Sequence, residues 1–188
     1  MDVNSDIETL EEQLNTAERD AQSVAAGLTG EQGNWRPDAR SWSVAECLDH
    51  LAVSSRVYLR AMEEPAVRAR GEGRLRRGPV KPGLVGAWFL RSVEPPVRAR
   101  FKAPGIIRPR KDPNLPDALA DFVASQEAVR AFLRSYADLD LAGVRFPNPF
   151  IPGVRFSLAT GLHVIAAHQR RHLWQAWRVR RAAEAGRS

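Results

Sequence analysis

His168 and His172 stand four residues apart in the stretch His163-Val164-Ile165-Ala166-Ala167-His168-Gln169-Arg170-Arg171-His172-Leu173-Trp174-Gln175, which contains neither Gly nor Pro. On an α-helix that spacing places the two imidazoles one turn apart on one face. Their Cβ atoms are then about 5–6 Å apart, close enough for both rings to reach one ion at the roughly 2.0–2.1 Å typical of Zn–N bonds. Two ligands make half a site, and the chain has four histidines in all. His163 precedes the pair by five and nine positions, which at about 100° per residue turns it roughly 140° and 180° away, so it reads as structural. His50 is the remaining candidate, in Trp42-Ser43-Val44-Ala45-Glu46-Cys47-Leu48-Asp49-His50-Leu51. That segment reads as the start of another helix, and bundle proteins build core metal sites from ligands on facing helices.

Three neutral histidines would leave an ion with open coordination positions, as in catalytic rather than structural sites. Such an ion can lower the pKa of a bound water, polarise a carbonyl or hold a thiolate at neutral pH. Imidazole suits Zn, Ni, Fe and Cu alike, so the donors do not name the metal. Ligating imidazoles usually donate their second N–H to an acceptor, and Glu46, Asp49 and Gln175 are near in sequence. Cys47 could approach the same face, but its position also suits a small buried hydrophobe. Trp42, Trp88, Trp174 and Trp177 could line an apolar pocket, although aromatics at such spacings are ordinarily core. No Ser-His-Asp pattern, P-loop or dinucleotide fingerprint is present.

The elements that must position these residues are helices. Ile7, Leu10, Leu14, Ala17, Ala21, Val24 and Leu28 recur at three- and four-residue steps, predicting a first helix from about Ser5 to Leu28 and then a loop through Gly33-Asn34-Trp35-Arg36-Pro37. The second helix has the strongest start signal. Ser43 and Glu46 form a capping box, with Trp42 and Cys47 at the staple positions, and Pro65 is expected to end the helix. Glu46 is thereby assigned to capping rather than catalysis. From Pro65 to Pro116 the chain reads as a connector dense in Pro, Gly and Arg, with a short helix at Leu84–Val93 apolar enough to lie against the bundle. Loops this long usually have a role; this one either drapes over the metal end or packs outside. A third helix is expected from about Pro116 to Tyr136, and a fourth from near Ser157 to near Arg181, its last turns basic beside the negative dipole end. No segment reads as a strand.

Length and composition agree with one folded unit: 188 residues, 44% hydrophobic and 27% charged. No apolar run approaches a membrane span, and the N-terminus Met1-Asp2-Val3-Asn4-Ser5-Asp6 is acidic where a secretion signal would be basic and then apolar. The expectation is a cytoplasmic protein without membrane partners, in keeping with its single cysteine. The net charge of +6 is uneven, since residues 66–111 hold thirteen Lys or Arg against two acids, leaving the remainder at −5. That segment matches no recognisable nucleic-acid-binding motif and reads as a solvated connector, so nucleic acid is not the expected partner.

The segments around His50 and around His168 and His172 resemble the two signature segments of the DinB-like superfamily of four-helix-bundle proteins. Trp35-Arg36-Pro37, Phe101-Lys102-Ala103-Pro104 and Phe146-Pro147-Asn148-Pro149-Phe150 are similar to that family too, so the likeness spans nearly the whole chain. It implies an all-α four-helix bundle with a long Arg/Pro/Gly-rich connector between helices two and three. It further implies one divalent metal, nickel or zinc, held by His50, His168 and His172. Characterised members of that family are thiol-dependent transferases and isomerases using bacillithiol, mycothiol or glutathione. The resemblance therefore implies a low-molecular-weight thiol cosubstrate, an electrophilic small-molecule substrate and a homodimer. Metal-assisted hydrolysis, or a non-catalytic stress or binding protein whose connector docks an acidic partner, are the alternatives.

Overall fold

The computed structural model describes residues 5–95 and 103–185. Phe101 and Lys102 of the connector motif, with residues 1–4, lie outside the described residues. Four long helices, α1 (Ser5–Ala25), α3 (Val44–Gly71), α5 (Leu115–Tyr136) and α6 (Leu158–Ala185), form an all-α bundle in which α3 packs between α5 and α6 and α1 closes against the same two. Shorter elements are α2 (Gly30–Asn34), α4 (Leu84–Val93), a 3₁₀ turn (Gly105–Ile107) and a hairpin of β1 (Arg145–Pro147) with β2 (Arg155–Ser157). Among the described residues no helix is long and apolar enough to cross a membrane.

Local chemistry sets the helix ends. Gly27, at φ +72°, takes the left-handed turn that stops α1. The expected capping box of α3 is formed: Ser43 Oγ accepts from the Glu46 N–H at 3.1 Å, and Glu46 Oε2 accepts from the Ser43 N–H at 2.9 Å. At α5, Asn114 caps and Pro116 sits in the first turn. Ser157 Oγ accepts the Thr160 N–H at the start of α6.

Four expectations need correction. Pro65 does not end α3, which runs six residues further to Gly71. The ring removes one backbone donor, while Ala66 and Ala69 beyond it are buried and keep the helix on the core, so packing outweighs the local penalty. The stretch after Thr29 is a short helix rather than all loop, because Thr29 and Gln32 make a second capping box. Two three-residue strands do form. They pair in antiparallel register with Phe146 opposite Phe156, both buried, and are too short to leave a period in the sequence. Finally, α6 continues past Arg181, and Arg180 does not serve its own helix end. Its Nη1 donates to the carbonyls of Ser23, Val24 and Ala26, the unpaired acceptors at the C-terminus of α1.

The apolar core is in two parts. One gathers Leu10, Tyr58, Met62, Phe132, Phe146 and Leu158; the other gathers Val24, Leu48, Leu51, Phe122, Leu173 and Ala176. On α3, α5 and α6 the residues between these sets are polar and mostly buried: Ser54 and Ser55, Ser125 and Gln126, and the run from His168 to His172. The bundle thus carries a polar layer between two hydrophobic plugs, and the three histidines lie at that level.

Candidate metal centre

His50 comes from the second turn of α3, and His168 and His172 from successive turns of α6. Because α3 packs on α6, the rings converge: ring centroids are 4.9 Å apart for His50 and His168, and 4.6 Å both for His50 and His172 and for His168 and His172. One ligand atom from each lies within 4.8 Å of the others, and His50 Nε2 is 3.2 Å from His168 Nε2. His50 and His172 are buried, while His168 keeps a partly open side. The indole of Trp42 covers two of the rings, with centroids 4.6 Å from His50 and 5.4 Å from His172.

The hydrogen bonds fix which nitrogen faces inward. His50 Nδ1 is 2.5 Å from the Ile107 carbonyl, which can only accept, so Nδ1 carries the proton and Nε2 holds the lone pair. His172 Nδ1 meets Gln175 Oε1 at 3.1 Å, with the same consequence. His168 Nδ1 faces Ser54 Oγ at 3.4 Å, a hydroxyl that donates to the Leu51 carbonyl and so offers its lone pairs to the ring. Three Nε2 lone pairs therefore point into one space.

Electrostatics keeps them unprotonated. Burial lowers His50 from 6.5 to about 4, against the Ile107 carbonyl and the Asp49 charge, which favour the proton. Burial also holds His168 and His172 well below the usual imidazole range; His168 is lowered further by His50 and Arg171, and His172 by His168, His50 and Arg171. Neutral imidazoles at 3.2 Å with no proton between them repel through their lone pairs unless a cation is shared. Two nitrogens at 2.0–2.1 Å from one tetrahedral ion stand about 3.3 Å apart, so the closest pair already has the spacing of a shared cation. The donor set fits a divalent metal.

The connector builds one wall of this centre. Arg110 donates through its backbone N–H to Asp49 Oδ2 and through Nε to Asp49 Oδ1, both at 2.7 Å, and through Nη2 to Asp121 at 2.8 Å. Arg36 makes a two-point bond to Glu46 at 2.7 and 2.8 Å and reaches Asp112 at 2.7 Å. Two arginines thus lash residues 107–112 to the start of α3, and this strap delivers the Ile107 carbonyl to His50. The acceptor beside His50 is a main-chain group that no side-chain motif announces; the visible sign was Asp49, a buried acid beside a histidine that needed a cation. Of the three acceptors expected from the sequence only Gln175 meets a ring, since Glu46 caps α3 and Asp49 holds Arg110.

Other sequence candidates fall elsewhere. His163 Nε2 bonds the Val80 carbonyl at 3.0 Å, a structural role. Cys47 is buried in the apolar core, where burial pushes its thiol far up, so it is no nucleophile. Of the tryptophans, Trp42 alone contacts a ligand ring among the described residues. Trp177 donates to Asp20, Trp174 lies under Arg178, and Trp88 is largely exposed. Two surface grooves of about 430 Å³ each lie away from the histidines, one against the hairpin and one between α3 and α5.

A family model described as the DinB superfamily matches residues 13–176, a span that takes in all three histidines and the strap. The chain belongs to the DinB superfamily. No curated protein and no solved structure matches it. As a DinB-superfamily chain with three histidines able to hold a metal ion, it fits a family of metal-dependent enzymes.

Proposed function

We propose that this chain is a metal-dependent enzyme, a thiol-dependent S-transferase or isomerase acting on an electrophilic small molecule, with one divalent ion, zinc or nickel, held by His50, His168 and His172. The observation that carries the reading is the convergence of His50, His168 and His172, one ligand atom of each within 4.8 Å of the others, with Nδ1 of His50 and of His172 turned to acceptors outside the cluster. When bound, a divalent ion on three imidazoles supplies a Lewis acid that keeps a thiol deprotonated at neutral pH. The chain's own residues do the rest. Ile107, Gln175 and Ser54 hold the tautomers, Trp42 keeps water from the backs of His50 and His172, and the partly open side of His168 is where reactants arrive.

The lone cysteine is sealed in the core, so a sulfur nucleophile has to come from a cosubstrate. A binding protein built on the basic connector is the weaker reading. Arg68, Arg70, Arg74 and Arg110 are engaged with Glu64, Asp138, Asp140, and Asp49 and Asp121 of the same molecule, which leaves fewer charges for a polyanion. The test is a purified, tag-free protein loaded with zinc or nickel and offered electrophiles with and without a low-molecular-weight thiol. Product that needs thiol and metal together is expected. Product formed without thiol assigns hydrolysis instead, and no turnover of any electrophile removes the enzymatic reading.

A further inference from the structure

The short helix α4 presents large apolar side chains both to the bundle and to solvent. One edge is fixed to the bundle. Gly86 sits so close to α6 that an added Cβ would lie 2.6 Å from Thr160 Oγ1, Phe89 meets Phe156 at 5.2 Å between centroids, and the C-terminal end is tied down by Glu94 pairing with Arg170. The other face is in water. Leu84 is 93% exposed, Trp88 73% and Val85 69%. Residues 84, 88 and 91 follow one another at helical spacing, so Arg91 shares the face with Leu84 and Trp88. Large apolar side chains grouped on an exposed helix face beside a cation mark a contact surface.

The charges around this face select what covers it. Arg77, Lys81 and Arg91 are exposed, and none of them makes an ion pair among the described residues, in contrast to the arginines tied down nearer α3 and α5. They flank Leu84, Val85 and Trp88 on both sides in sequence. A second copy of the chain docking face to face would set these cations against their own counterparts. An anionic lipid surface turns the same cations into attraction, while Trp favours the headgroup level and Leu the acyl boundary.

We infer that α4 is a peripheral membrane-docking element, which seats Leu84, Val85 and Trp88 in the headgroup region of a bilayer containing anionic lipid, with Arg77, Lys81 and Arg91 on the phosphates. The expectation of no membrane partner rests on the lack of an apolar span, and a ten-residue surface-lying helix such as α4 is too short to be one.

The experiment is co-sedimentation of the full-length, metal-loaded protein with large vesicles of phosphatidylcholine alone and with about a third phosphatidylglycerol, at low and at physiological salt. Binding is expected with the anionic vesicles, weakening as salt rises, and at most traces with the neutral ones. The double variant Leu84→Ser/Trp88→Ser is expected to lower the partition coefficient about tenfold or more, and Lys81→Glu/Arg91→Glu to lower it comparably at low salt. Both pairs are exposed, so thermal melts and metal content should match the parent protein. The inference is overturned by equal binding to neutral and anionic vesicles, by no binding at low salt, or by binding that Leu84→Ser/Trp88→Ser leaves intact. It is also overturned if light scattering shows a dimer that this variant dissociates, which would make α4 an interface between copies. None of these outcomes depends on turnover, so they leave the proposed enzymatic reading to its own test.

Discussion

Gln169 and His168 are neighbours on α6, yet the two polar clusters they belong to are built in opposite ways. Gln169 turns to α5, where its Nε2 donates to Gln126 Oε1 at 2.5 Å, while Gln126 Nε2 donates to Gln169 Oε1 at 3.3 Å and to the Leu14 carbonyl at 2.9 Å. That pair is closed, since each amide oxygen meets a donor within the protein. His168 turns to α3, where its Nε2 meets His50 Nε2 at 3.2 Å and a third imidazole, His172, completes the cluster among the described residues. The amides stitch α1, α5 and α6 together; the imidazoles are held open against the same packing forces. Buried polarity that is satisfied internally is structural, and buried polarity of one kind left facing itself is a place for something else.

Metal content separates the two clusters most widely. Replacing His50, His168 or His172 with Ala should lower bound metal, measured by mass spectrometry on tag-free protein, by more than the 10–100-fold that loss of an outer hydrogen bond costs. Gln169→Leu should leave it unchanged. Equal loss in both would mean that the two clusters are one network. Next in size is pH. In metal-free protein the folded His50 pKa of about 4 lies below the unfolded value of 6.5, so the unfolded chain takes up the proton first. Stability is therefore fully present above about pH 6.5 and is lost as pH falls toward about 4, by about 3 kcal/mol for this group at 1.36 kcal/mol per unit. Denaturation curves across that window should flatten in His50→Gln, and an unchanged slope would show that the centre is not held neutral.

Gln169→Leu itself should cost about 1–3 kcal/mol, read as a lower urea midpoint with unchanged slope, because Gln126 Oε1 loses its donor in the core. The smallest effect belongs to the start of α3. Ser43→Ala should cost about 1 kcal/mol and leave metal binding intact, since Arg36 still holds Glu46 and buried residues continue along α3 as far as Ala69. A loss of metal in that variant would mean that the cap, and not the strap, orients His50.

Much of this was legible because it is periodic or paired in the sequence. The spacing of His168 and His172, the Ser43–Glu46 box, the stripes of α1 and α5 and the short helix at Leu84–Val93 are local patterns with local causes. The misreadings share a different origin. Pro65 reads as a stop because the ring's penalty is local, whereas the burial of Ala66 and Ala69 that outweighs it comes from packing against the rest of the bundle. Gly30 and Gly33 masked a helix that Thr29 and Gln32 cap. Ile107 was invisible because it acts through its main-chain oxygen, and Arg180 because the carbonyls it serves belong to a helix more than 150 positions earlier.

Fifty-seven positions separate His50 from the carbonyl that orients it, and 118 separate it from the ring it nearly touches. Contacts of such range close late, because long loops must surrender their freedom before any reward is collected. Without α6 the chain has only His50 of the three imidazoles, so uptake of metal reports that α3 and α6 have come together.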